Sequence, residues 1–168
     1  IDRFRGIWWS EQGQGIWTNN ELQEYPWFED IGTTFYSHQE DGGYVKWVNI
    51  DTDTDLDLVS CSPSGVHVYE NQEGSFVLRS TGLPAISGGF AFGDYDRDGD
   101  MDVVIGGLNG SSSNETALYE NLGGFQFSLK QSFFPVHNVT ASWADIDNDN
   151  DLDFILAGAD HENAGDLG

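Results

Sequence analysis

Short apolar runs recur along this chain with a spacing of two, each bounded by glycine, asparagine or a run of acids. That alternation is the signature of half-buried β-strands, and no stretch shows the 3.6-residue period of an amphipathic helix. Residues 44–48, 90–92 and 141–143 read as strands, each with an aromatic, Trp47, Phe92 or Trp143, at or next to its end. An acid-rich loop follows each, and then a hydrophobic run: Leu58-Val59-Ser60-Cys61, Val103-Val104-Ile105-Gly106 or Phe154-Ile155-Leu156-Ala157. In two copies the next strand, 66–71 or 117–121, ends in Tyr-Glu-Asn. A glycine turn then leads to a last strand, expected at 75–78 and 125–129.

The acid-rich loops align without gaps. They are Asn49-Ile50-Asp51-Thr52-Asp53-Thr54-Asp55-Leu56-Asp57, Asp94-Tyr95-Asp96-Arg97-Asp98-Gly99-Asp100-Met101-Asp102 and Asp145-Ile146-Asp147-Asn148-Asp149-Asn150-Asp151-Leu152-Asp153. Their third positions, Asp51, Asp96 and Asp147, lie 45 and 51 residues apart, the period of a four-stranded propeller blade. Like charges this close repel by about 4 kcal/mol per pair at 4 Å and an effective dielectric near 20, so the loops call for a compensating cation. In the middle loop Asp94, Asp96 and Asp98 can converge on one point. Gly99 allows the sharp turn, Asp100 can offer its carbonyl, and Asp102 can close the shell. An all-oxygen set suits a hard divalent ion, and calcium before magnesium, which prefers to keep its waters. The spacing excludes an EF-hand, because position twelve is Ser60, Ile105 or Leu156 rather than an acid.

The net charge of −23, from 29 acids and 6 bases, argues against nucleic acid and against anionic membranes as partners. Fourteen of the acids sit in the three loops. Three calcium ions would therefore lift the charge only to −17, and the remainder stays strongly acidic. No apolar run approaches the length of a membrane span, so membrane insertion is not expected. Cys61 is alone and cannot form an internal disulfide; a buried strand thiol is its expected role. The absence of Met or a signal-type segment at Ile1 suggests a mature or excised piece.

These motifs resemble the FG-GAP/VCBS repeat family, the calcium-loop blades also found in integrin α-subunit propellers. The likeness covers roughly residues 28–160. It implies an all-β fold of β-propeller-type blades, each a four-stranded antiparallel sheet, with three to four repeats. The propeller would be incomplete, or completed by a neighbouring chain. The organisation implied is outer strands of an incomplete blade at 1–43, calcium-loop blades at 44–88 and 89–138, and the first half of a third at 139–168. In that family positions one, three, five and nine give side chains and position seven a carbonyl. Carried over, the ligands are Asn49, Asp51, Asp53, Asp55 and Asp57; Asp94, Asp96, Asp98, Asp100 and Asp102; and Asp145, Asp147, Asp149, Asp151 and Asp153. Two to three calcium ions are implied. Asn49 in place of Asp, and Thr54 where Gly is usual, mark the first site as the weakest.

Other chemistry is sparse. Sequons place candidate glycosylation at Asn109, Asn114 and Asn138. His38, His67, His137 and His161 fall in no ligand or triad spacing, and no nucleophile or phosphate-loop motif is present. Trp8, Trp9, Trp17 and Trp27 would either pack blades or form a sugar-stacking platform. The expectation is thus a non-enzymatic, extracellular or cell-surface calcium-binding module with a structural or adhesive role. Its partners would be an extracellular protein or glycan, or copies of itself head to tail. The alternatives are a self-assembling subunit of a surface filament or sheath, through complementary half-blades, and a non-catalytic appendage of a secreted enzyme.

Overall fold

The computed structural model describes residues 5–10, 13–19, 28–30, 44–62 and 65–159. The chain divides into two compact units, Ile1–Glu40 and Asp41–Gly168. The described residues contain strands and no helix, so none can cross a membrane as a helix.

The first unit holds three antiparallel strands, β1 (Arg5–Ser10), β2 (Gly13–Asn19) and β3 (Phe28–Asp30), in the order β1-β2-β3. The side chains of Trp8, Trp9, Trp17 and Trp27, and residues such as His38, lie outside the described residues.

The second unit holds two four-stranded antiparallel meanders and a two-stranded sheet. The first meander is β4 (Tyr44–Val48), β5 (Asp57–Ser62), β6 (Gly65–Gln72) and β7 (Ser75–Arg79), paired in that order. The second is β8 (Ile86–Gly93), β9 (Asp102–Asn109), β10 (Asn114–Asn121) and β11 (Phe127–Ser132). The two-stranded sheet is β12 (His137–Ala144) with β13 (Asp153–Ala159). No sheet closes on itself among the described residues. This is the expected all-β architecture of four-stranded antiparallel blades.

Turn chemistry sets the register. The β6–β7 hairpin turns on Glu73 (φ 53°) and Gly74 (φ 96°), the paired positive φ values of a two-residue type I′ turn. The β10–β11 connection bends through Gly123, Gly124 and Phe125, all at positive φ. Phe125 therefore belongs to the turn and not to the strand expected at 125–129. Its ring is buried beside Phe127 in the core, so burial outweighs the backbone cost of about 1–2 kcal/mol.

One core spans both meanders. Val59, Cys61 and Val68 of the first meet Ile86, Phe90, Val103, Ile105 and Ala117 of the second. Cys61 is buried, as expected, with its thiol donating to the Ile86 carbonyl at 3.1 Å. Against the other face of β8, strand β12 comes so close that a Cβ on Gly89 would lie 1.8 Å from the Val139 carbonyl oxygen. Glycine there is a packing requirement of the sheet-to-sheet approach. Beside it the Trp143 indole covers Gly93 and donates to the Ala91 carbonyl at 3.0 Å.

Candidate metal centre

Each acid-rich loop joins the first two strands of a sheet: β4 to β5, β8 to β9, and β12 to β13. Alternate carboxylates first organise the loop itself. The position-three acids Asp51, Asp96 and Asp147 accept the N–H two residues on, at 3.3, 3.4 and 3.2 Å. The position-five acids Asp53, Asp98 and Asp149 do the same at 2.7, 2.9 and 2.8 Å. These Asx-type turns occupy one oxygen of each carboxylate and leave the other free. Position four is left-handed in all three loops, at Thr52, Arg97 and Asn148, with φ of 65°, 64° and 61°. No glycine marks these positions, and the sequence reading did not single them out.

Position nine closes the loop. Asp57, Asp102 and Asp153 each accept, on Oδ2, the backbone N–H of position two: Ile50 at 2.9 Å, Tyr95 at 3.2 Å and Ile146 at 3.1 Å. In the two meanders Oδ1 accepts a second N–H, from the asparagine that ends the third strand. Asn71 reaches Asp57 at 2.9 Å, and Asn121 reaches Asp102 at 2.8 Å. Sequence reasoning quoted Tyr-Glu-Asn as a strand ending and missed this role. Its recurrence in both copies was the signal available.

Position one differs between loops. In the second and third, the position-six N–H, of Gly99 or Asn150, donates to Oδ2 of Asp94 at 3.2 Å or Asp145 at 3.0 Å. Gly99 (φ 97°) and Asn150 (φ 70°) are left-handed to allow it. Thr54 is not among the left-handed residues, and in the first loop the Asn49 amide instead donates to the Asp53 carbonyl.

The clustering follows these differences. Carboxylate oxygens of Asp94, Asp96 and Asp102 lie within 4.8 Å of one another, as do those of Asp145, Asp147 and Asp149. Among the described residues no such group forms in the first loop. Asp51, Asp53, Asp55 and Asp57 share the loop without forming one, and Asn49 brings an amide oxygen rather than a carboxylate to position one. Asp55 and Asp151 point elsewhere: Asp55 accepts the Glu73 N–H at 3.2 Å, and Asp151 pairs with Arg97 of the neighbouring loop.

The electrostatics describe carboxylates short of positive charge. Asp102 is fully buried, and its pKa is pushed up to about 6, first by desolvation and further by Asp96 and Asp98. Two backbone N–H bonds oppose the rise. Burial also raises Asp57, and Asp100 rises through desolvation and then Asp98, Asp94 and Asp96. One further observation is shared by all three loops. The Oδ1 atom of position one, on Asn49, Asp94 and Asp145, is buried with no hydrogen-bond partner among the described residues. A buried oxygen left unpaired costs about 1–3 kcal/mol, and it recurs at the same place three times. The donor set therefore fits a hard cation: oxygens only, crowded, and one of them awaiting a partner.

The sequons lie in two settings. Asn109 and Asn114 flank the exposed β9–β10 loop at residues 110–113. Asn109 holds that loop, accepting N–H bonds from Ser111 and Ser113 at 3.0 Å each. The Asn138 side chain lies outside the described residues.

The sequence matches the FG-GAP-like repeat family twice, over residues 49–105 and 94–156. These matches span each loop and the blade between them, and together they cover more than half of the chain. The chain belongs to the FG-GAP-like repeat family. No curated protein and no solved structure matches it.

Proposed function

We propose that this chain is a calcium-stabilised structural repeat module, extracellular or cell-surface in location and adhesive rather than catalytic in role. The carrying observation is the buried, unpartnered position-one oxygen repeated in all three loops. Side chains of positions one, three, five and nine, with the carbonyl of position seven, would hold each ion. The ion would supply the positive charge that the packed carboxylates lack, and its binding free energy would become folding free energy. The family membership and the crowded carboxylates support this reading. Calcium sites of this open kind suit a calcium-rich exterior, where the sequons at Asn109, Asn114 and Asn138 would carry glycans. An extracellular protein or glycan is the partner such a module would present a face to.

Thermal unfolding with and without EDTA tests the proposal. Calcium at a hundred times Kd adds about 2.7 kcal/mol per site. For a chain of this size that is a rise of about 5–11 °C in Tm per occupied loop. An unchanged melting temperature rejects it.

A second reading is self-assembly. Strand β13 has no partner on its outer edge among the described residues, whereas β5 and β9 are each followed by a third strand. A strand from another copy would complete that sheet. Light scattering after size exclusion decides: a stable monomer across concentration rules it out.

A further inference from the structure

Asn121 stands between two loops. It ends β10 and is buried. Its backbone N–H donates to Asp102 Oδ1 at 2.8 Å, and its Oδ1 accepts the Gly123 N–H at 3.0 Å. Its side-chain amide then splits between two carbonyls. Nδ2 donates to Met101, position eight of the second loop, at 3.3 Å, and to Ile50, position two of the first loop, at 3.1 Å. The Ile50 N–H in turn donates to Asp57 Oδ2. A continuous path thus runs from Asp57 through Ile50 and Asn121 to Asp102, linking the position-nine carboxylates of two successive loops. Asp57, Ile50, Asn121 and Asp102 are all essentially inaccessible to water. Water therefore does not compete for these bonds, and a shift at one end is felt at the other.

The equivalent residue of the first meander lacks this reach. Asn71 Nδ2 donates to Leu56 of its own loop, at 3.1 Å. The second and third loops are joined differently, by the Arg97–Asp151 ion pair, whose side chains are 53 % and 72 % exposed. A pair that open is worth little and transmits little.

We infer that Asn121 is a positioning residue that couples calcium binding at the first and second loops, with positive sign. The inference rests on the calcium reading above. An ion in the second loop fixes Asp102, and through it the Asn121 amide and the Ile50 peptide. The first loop then closes on a partner already ordered, so its ion meets a smaller ordering cost. By linkage the effect is mutual.

The test uses the full chain with the third loop disabled by Asp147→Asn and Asp149→Asn. Calcium uptake at the second loop is followed by the Gly99 amide resonance. Disabling the first loop with Asp51→Asn and Asp53→Asn, which keep the Asx hydrogen bonds, should weaken the second loop's affinity about five-fold or more, the usual floor of site coupling. Asn121→Ser keeps the backbone N–H and removes Nδ2. In that background disabling the first loop should change the second loop's affinity less than two-fold. If the second loop binds equally well with the first intact or disabled, the coupling is overturned while the calcium reading stands. Absence of calcium uptake at every loop of the unsubstituted chain overturns both. Should Asn121→Ser fail to fold, Asn121→Ala, which likewise keeps the backbone N–H and removes Nδ2, takes its place, and coupling that survives undiminished there overturns the role of Asn121.

Discussion

Ionising Asp102 in the metal-free protein should cost stability, and its surroundings give the size of the cost. The carboxyl is fully buried beside Asp96 and Asp98, and its folded pKa is about 6 against an ordinary 3.8. At 1.36 kcal/mol per unit, the ionised form is disfavoured by about 3 kcal/mol in the fold. The sign follows from a folded pKa raised above the unfolded one. The native state holds its proton where the unfolded chain has lost it, so stability is greatest below pH 3.8 and falls as pH rises through about 6. Between pH 4.5 and 7 roughly 2 of the 3 kcal/mol should be lost, a fall of about 4–8 °C in Tm. Self-repulsion of the acidic chain acts in the same direction. The assay is thermal or urea unfolding across that range in EDTA, repeated with excess calcium. Calcium should cancel the decline, because an ion at Asp102 replaces the proton. Asp102→Asn should flatten the metal-free profile and remove most of the calcium response of the second loop. Metal-free stability that is level, or that rises with pH over this range, refutes the reasoning.

Three further outcomes test separate parts of the structure. Gly89→Ala would drive a methyl into the Val139 backbone and should destabilise by about 3 kcal/mol in urea denaturation, whereas Gly99→Ala meets no atom and should cost only about 1 kcal/mol through its φ of 97°. Trp143→Phe removes the hydrogen bond to the Ala91 carbonyl while keeping an aromatic ring over Gly93, and should cost about 1 kcal/mol in the same assay. The first loop should bind calcium most loosely by titration calorimetry, and Thr54→Gly should tighten it about five- to ten-fold, since glycine can enter the left-handed conformation that Gly99 and Asn150 hold at position six, whereas Thr54 does not adopt it and doing so would cost about 1 kcal/mol or more.

The strands and loops were legible because their signals are local. Alternation places a residue on one face or the other whatever surrounds it, and so β4, β5 and β9 fall where the apolar runs predict. The loop register was equally open to reading, since acids on alternate positions, with Gly99 or Asn150 at position six of the second and third loops, are properties of a short segment. Phe125 was read wrongly for a physical reason. Its side chain and neighbours suit a strand, but the core accepts the ring only when the backbone turns at positive φ.

What the sequence determined by itself, then, is the repeat: two full four-stranded sheets, a third begun, and an acid loop in each, 45 and 51 residues apart. Tertiary structure decided which oxygens are buried and which chains of hydrogen bonds connect the loops. The third-strand asparagines reach Asp57 and Asp102 from 14 and 19 residues away, the Asn121 amide reaches Ile50 from 71, and the position-one oxygen is buried and unpartnered only in the folded loops. Burial and long-range hydrogen bonding arise only when strands pack, so a local pattern such as the repeated Tyr-Glu-Asn marks a residue without saying what it bonds.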